Sequence, residues 1–153
     1  MKKIQILIKI LIPLLMSSCG YQPIFLKKDI NLNILNIEKV GNQKINATII
    51  RNIEILNNSN KSGKKIKVEI SSQNSNETIS KDKKGVATKF LMSLNINIKI
   101  YDQENLLKEK SFNKEFVYNN SENKFDLNQY KKQIQSNLLN KIIEEISIFF
   151  YNI

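Results

Sequence analysis

A chain of 153 residues with 41% apolar and 25% charged side chains has room for one two-layer core and is too apolar to be a disordered tail. Its single cysteine excludes an internal disulfide, and the absence of histidine removes the commonest general base and metal ligand. A net charge of +10 points to an anionic partner: nucleic acid, a membrane surface or a phosphorylated glycolipid.

Residues 1–18 have the three-part form of a secretory leader. Lys2 and Lys3 supply the positive start, Ile4 to Leu15 the apolar run, and Ser17-Ser18 the small residues before a cut. Lys9 and Pro13 interrupt the run, which is too short for a membrane span of about 20 residues, so cleavage is favoured over an uncleaved anchor. The stretch Leu14-Leu15-Met16-Ser17-Ser18-Cys19-Gly20 reads as a lipoprotein processing site. Only a thiol can take a thioether-linked diacylglycerol, so Cys19 becomes the acylated N-terminus of the mature chain, and two or more acyl chains anchor stably. Gly20 follows it rather than Asp, which favours the outer membrane, facing the periplasm. Removing Lys2, Lys3 and Lys9 with the leader leaves a mature charge of +7.

Residues 19–28, with Pro23, read as a lipidated N-terminus and tether, and residues 29–153 as one α+β domain. Ile30, Leu32 and Ile34 alternate with polar residues, predicting a strand over 30–38 with a bulge where the alternation slips at Leu35. After the break at Gly41-Asn42, the spacing of Ile45, Ile49, Ile53 and Leu56 predicts a helix over 44–57, ended by a polar run and Gly63. From Lys64 the period becomes two, giving a second strand up to Ile79 and then a turn at Lys81–Gly85. The third strand is the clearest, with Phe90, Met92, Leu94, Ile96, Ile98 and Ile100 on one face and Ser93, Asn95, Asn97 and Lys99 on the other. A turn at 102–105 leads into a fourth strand, Leu106 to Tyr118. Its Phe112, Phe116 and Tyr118 share a face with Lys108, Lys110 and Lys114, the pattern of an edge strand. Asp126 and Gln129 form a capping-box pattern for a last helix over 126–150, whose stripe runs through Leu127, Tyr130, Ile134, Leu138, Ile142, Ile146 and Phe149. The order is β-α-β-β-β-α, a two-layer sandwich.

Strand direction decides which loops meet. If the first helix returns the chain, the second strand runs parallel to the first, and the two hairpins then alternate. One end of the sheet should therefore carry Lys39, Lys44, Lys81, Lys83, Lys84 and Lys124, opposite the end that leads to Cys19. Ammonium groups on flexible stems suit phosphate as point charges, and Lys83 and Lys84 are held together by a tight turn, so these two, with Lys81 and Lys124, are the candidate anion site. Solvated loops also collect lysine. Catalytic residues are not expected: histidine is absent, Cys19 is acylated, there is no Gly-rich phosphate loop, and Asp102 with Glu104 sits in a turn. No cluster has metal-ligand spacing. A periplasmic address and a single arginine, Arg51, argue against nucleic acid.

Three stretches carry a family likeness: Cys19-Gly20-Tyr21-Gln22-Pro23-Ile24-Phe25, then Gly85-Val86-Ala87-Thr88-Lys89-Phe90 ahead of the long alternating strand, then Phe112 to Tyr118 with Tyr130 and the closing helix. In these the chain resembles the LPS-assembly lipoproteins (LptE-like) of Gram-negative bacteria, in their alphaproteobacterial form. The resemblance implies two helices on a four-stranded mixed sheet and no cofactor beyond the N-terminal lipid. It implies a plug inside the outer-membrane β-barrel translocon (LptD-like), helping that barrel assemble and assisting lipopolysaccharide transfer to the cell surface. It also implies basic residues at the domain tip in contact with lipopolysaccharide, with Lys83 and Lys124 at or near such positions and lysine where arginine is usual. A different class remains open: a stand-alone lipid-anchored module binding a lipid or solute in an apolar pocket. Cys19→Ala is expected to move the protein from the membrane pellet to the aqueous fraction, read by fractionation and detergent phase partition.

Overall fold

The computed structural model describes residues 32–56 and 63–153. The leader, Cys19, the tether over 19–28 and the side chain of Leu56 lie outside the described residues. The elements are β1 (Leu32–Gly41), α1 (Gln43–Leu56), β2 (Lys64–Lys81), β3 (Ala87–Asp102), β4 (Asn105–Asn119) and α2 (Lys124–Tyr151). They form one four-stranded sheet in the order β1-β2-β3-β4, with β1 parallel to β2 and both hairpins antiparallel. The expected mixed-sheet α+β sandwich is therefore the observed fold, and the ladder shifts between Ile34 and Asn36, at the slip expected around Leu35.

The two-residue period sorts the strands into two faces. Ile66, Val68, Ile70, Met92, Leu94, Ile96, Ile98, Ile100, Phe112 and Tyr118 turn inward, meeting Ile45, Ile49 and Ile53 of α1 and Ile134, Leu138, Ile142 and Ile146 of α2. Ile49, Ile53, Ile98 and Ile142 are 0% exposed, so side chains fill the layer between sheet and helices. Leu139 and Phe150 of α2 are also buried, widening the expected stripe. The opposite sheet face is polar and cross-linked by side chains: Ser93 donates to Glu115 (3.2 Å), Asn97 to Glu109 (2.8 Å) and Tyr101 to Glu69 (3.2 Å). On the same face Lys67 pairs with Glu38 at 2.7 Å.

β4 is an edge strand, as its lysines foretell. Lys108 donates to the Asn152 carbonyl at 2.9 Å and sits 5.1 Å from the Phe149 ring, while Lys114 pairs with Glu145. Their apolar stems thus run along the rim of the core while their charged heads reach α2 or solvent. Phe116 departs from expectation at 42% exposed, because an edge strand has a neighbour on one side only. The start of α2 also differs. Asn123, rather than Asp126, is the N-cap, its Oδ1 accepting from the backbone N–H of Phe125 (3.0 Å) and Asp126 (3.3 Å). Asp126 instead accepts from Asn123 Nδ2 at 2.7 Å, in the first turn where a carboxylate is favoured by the helix dipole.

The end of β1 is tied to β2. Gly41 has φ +96°, and a Cβ there would lie 1.9 Å from the Ser72 carbonyl oxygen. Asn42 N–H donates to that oxygen (3.2 Å) and also lies 3.1 Å from Ser72 Oγ, whose hydroxyl donates to the Asn42 carbonyl at 3.3 Å. The Asn42 side chain then caps α1 by accepting from Lys44 N–H (3.1 Å) and Ile45 N–H (3.2 Å). Gly41→Ala is expected to destabilise the domain by about 3 kcal/mol, from left-handed backbone strain plus the clash with Ser72, measured by urea unfolding.

Candidate functional site

β2, β3 and β4 carry the sheet well past the point where β1 leaves it. Gly41 pairs with Ser72, and β2 continues nine residues further to Lys81, about 30 Å at the rise of a strand. That stagger corrects the expected clustering. Lys39, in register with Ile70, and Lys44, in the first turn of α1, lie far below the tip. Lys81, Lys83 and Lys84 stand at the tip itself.

The turn that presents them is internally satisfied. Asp82 N–H donates to the Val86 carbonyl (2.9 Å) and Gly85 N–H to the Asp82 carbonyl (3.0 Å). The Asp82 carboxylate accepts from Lys84 N–H and Val86 N–H, both at 2.8 Å, and Gly85 takes φ +81°, which closes the turn without side-chain strain. Lys83 and Lys84 occupy the two central positions, exposed, and no ion pair among the described residues engages them. Two adjacent cations are thus held on a turn whose hydrogen bonds come from the backbone and Asp82.

Asn120, which nothing in the sequence singled out, joins the second tip loop to the first. Its N–H donates to the Thr88 carbonyl (2.8 Å) and its Nδ2 to the Ala87 carbonyl (2.7 Å). Lys124 is brought to the same loops, but its ammonium folds back onto Asn120 Oδ1 (3.4 Å) and the Ser121 carbonyl (3.2 Å). Lys81, Lys83 and Lys84 are therefore the open cations, and Lys124 is partly engaged.

Just below the tip, an aromatic cluster stiffens the helix side of the sheet. Phe90 stacks on Tyr118 at 5.4 Å, Tyr130 meets Tyr118 edge-on at 6.3 Å, and Lys131 lies over the Phe90 ring at 5.3 Å. The Tyr118 hydroxyl crosses β3 to donate to Asn76 Oδ1 on β2 at 2.7 Å. Beside the cluster a surface groove of about 320 Å³ opens between β4 and α2, lined by Phe116, Tyr130, Ile134 and Leu138. Among the described residues, no group of acidic or cysteine side chains could hold a metal ion, and no helix is long and apolar enough to cross a membrane.

No family model matches the sequence, and no curated protein matches it. Solved structures do share its fold. Rare lipoprotein B from Shewanella oneidensis superposes with a TM-score of 0.56 at 8% identity, covering 78% of this chain and 98% of that one. A lipoprotein B from Nitrosomonas europaea gives 0.56 at 12% identity over 84% and 88% of the two chains. A minor lipoprotein from Acinetobacter baumannii gives 0.56 at 14% identity over 74% and 87%. At such identities the likeness is one of fold.

Burial pushes the Tyr118 phenol above its ordinary value of 10.0, so its contribution to stability is complete below pH 10 and is lost as the pH climbs through the raised value. Tyr118→Phe should remove that share of the alkaline loss. At neutral pH it should cost about 1 kcal/mol, for the missing bond to Asn76. Urea unfolding at neutral and alkaline pH reads both effects.

Proposed function

We propose that this protein is an outer-membrane lipoprotein subunit of a lipopolysaccharide transport and assembly translocon, acting as a plug-like partner of the translocon β-barrel rather than as an enzyme. The observation that carries the reading is the polarity of the domain. Its N-terminal side, thirteen residues after the cysteine of the processing site, enters β1 at one end of the sheet, while the exposed lysines 81, 83 and 84 stand at the other. A lipid on Cys19 would hold the first end at the inner leaflet of the outer membrane, and the second would reach the phosphates of lipopolysaccharide. Lysine ammonium groups meet such phosphates as point charges, without the bidentate fork of arginine.

Three things support the translocon reading together: the lipoprotein processing site, the resemblance of the mature chain to the LPS-assembly lipoproteins, and a fold shared with proteins named as lipoproteins. The filled layer between sheet and helices favours an interaction subunit over a stand-alone carrier, whose ligand would need an interior pocket. The groove at Phe116 and Tyr130 is the surface such a carrier would use, and acyl-chain binding there by the isolated protein would favour that second reading.

Two measurements test the proposal. Crosslinking and purification of the lipidated protein should bring down a large outer-membrane β-barrel, and depletion should leave that barrel immature; recovery of the protein alone would refute it. Lys83→Glu combined with Lys84→Glu should weaken lipopolysaccharide binding on the order of tenfold, about 1.4 kcal/mol, and lower outer-membrane integrity. Stability should change by no more than about 0.5 kcal/mol, because both side chains are exposed. Unchanged binding would return the two lysines to ordinary solvated loop residues.

A further inference from the structure

The departure of β1 leaves part of an interior strand without a neighbour. The β1–β2 ladder ends at Gly41↔Ser72, whereas the β2–β3 ladder continues to Lys81↔Ala87. From Gln73 to Lys81, β2 therefore pairs with β3 on one side and with no described strand on the other. The orientation of its free groups follows from Ser72, whose carbonyl accepts from Asn42 on the β1 side. Main-chain groups in a strand alternate sides with a period of two, so Asn74, Asn76 and Thr78 direct their N–H and C=O groups into the lane that β1 vacates. All three residues are exposed.

Most sheet edges are protected, and this one is protected only at its upper end. β4 carries Lys108, Lys110 and Lys114 along its edge. Gln73 to Ser80 contains no lysine and no proline, and the only charge in it is Glu77. The bulges that would disrupt pairing begin above Thr78. Six residues, Gln73 to Thr78, thus form a regular, nearly neutral edge. Cations stand at both ends of the lane: Lys44 in the first turn of α1 below, and Lys81, Lys83 and Lys84 above.

We propose that this lane is a strand-docking site, receiving one extended segment of a partner protein that carries acidic side chains. Main-chain pairing to Asn74, Asn76 and Thr78 would hold the segment, and the flanking lysines would select its charge. A second copy of this chain fits poorly. The edge that a second copy would offer, Gln73 to Lys81, carries one acid, Glu77, and one base, Lys81, and leads into the basic turn, so it is not an acidic segment. The inference rests on register and charge, and does not require the partner to be a barrel.

Proline at position 74 gives a sharp test, because its lost N–H faces the vacated lane and not β3, so the β2–β3 ladder keeps its bonds. Full-length lipidated protein carrying photoreactive benzoylphenylalanine at position 73 is irradiated in native membranes, and the adduct is mapped by mass spectrometry. The expected result is an adduct with an acid-bearing segment of another protein, retained in Asn74→Ala and reduced about tenfold or more in Asn74→Pro, the two variants having the same thermal midpoint within a few degrees. If Asn74→Pro unfolds early, Thr78→Pro, at another outward position, takes its place. An adduct that survives the proline, one with a second copy or with this chain's own N-terminal residues, or no adduct at all, overturns the proposal. A barrel that co-purifies without an adduct overturns the docking site and leaves the translocon reading standing; a proline-sensitive adduct with an acid-bearing segment of a non-barrel protein does the reverse.

Discussion

The architecture depends on one junction, where Gly41 and Asn42 meet Ser72. A Cβ at position 41 would collide with the Ser72 carbonyl, so glycine alone allows the backbone to turn there, and the three hydrogen-bond contacts between Asn42 and Ser72 hold the turn against β2. Asn46, 1% exposed, adds a bond from its Nδ2 to the Val40 carbonyl at 3.0 Å. The junction ends β1 and starts α1 within two residues. It thereby sets how far the helical layer on that side extends up the sheet. What lies above it, the staggered tip and the one-sided stretch of β2, is a consequence of where the chain leaves the ladder.

The two helices then cover the sheet unequally. By their residue counts α1 spans about 21 Å and α2 about 42 Å, against about 60 Å for β2. The upper sheet is consequently stiffened by other means: the Phe90–Tyr118–Tyr130 cluster, the Tyr118–Asn76 bond across β3, and the Asn120 bonds that tie the two tip loops together. At the tip it is the turn backbone that is held, by Asp82 and its main-chain bonds, while the ammonium groups of Lys83 and Lys84 stay on flexible stems.

Some misreadings of the sequence share one cause, which is that spacing does not report the height or the neighbours of a residue. Strand direction alone puts Lys39 and Lys44 at the tip end, yet the register sets Lys39 opposite Ile70, eleven residues below Lys81, and the helix carrying Lys44 starts just past Gly41↔Ser72. Phe116 alternates correctly with Phe112 and Tyr118 but is half exposed, since α2 covers the edge strand only in part. Asp126 matched a capping pattern, while Asn123, three residues earlier, has an amide oxygen within reach of two free helix N–H groups and took the position.

Local chemistry by itself determined the element order, the inward and outward faces of every strand, the break at Gly41-Asn42, the bulge near Leu35 and the tight turn that pairs Lys83 with Lys84. Each follows from periodicity or from the φ preferences of neighbouring residues, which act over a few positions. Only the tertiary structure decided that Ser72, thirty residues away in sequence, receives Asn42, that Asn120 reaches Ala87 and Thr88, and that β2 outruns β1. Those are contacts between segments brought together by packing, and no local pattern encodes the register at which two strands meet.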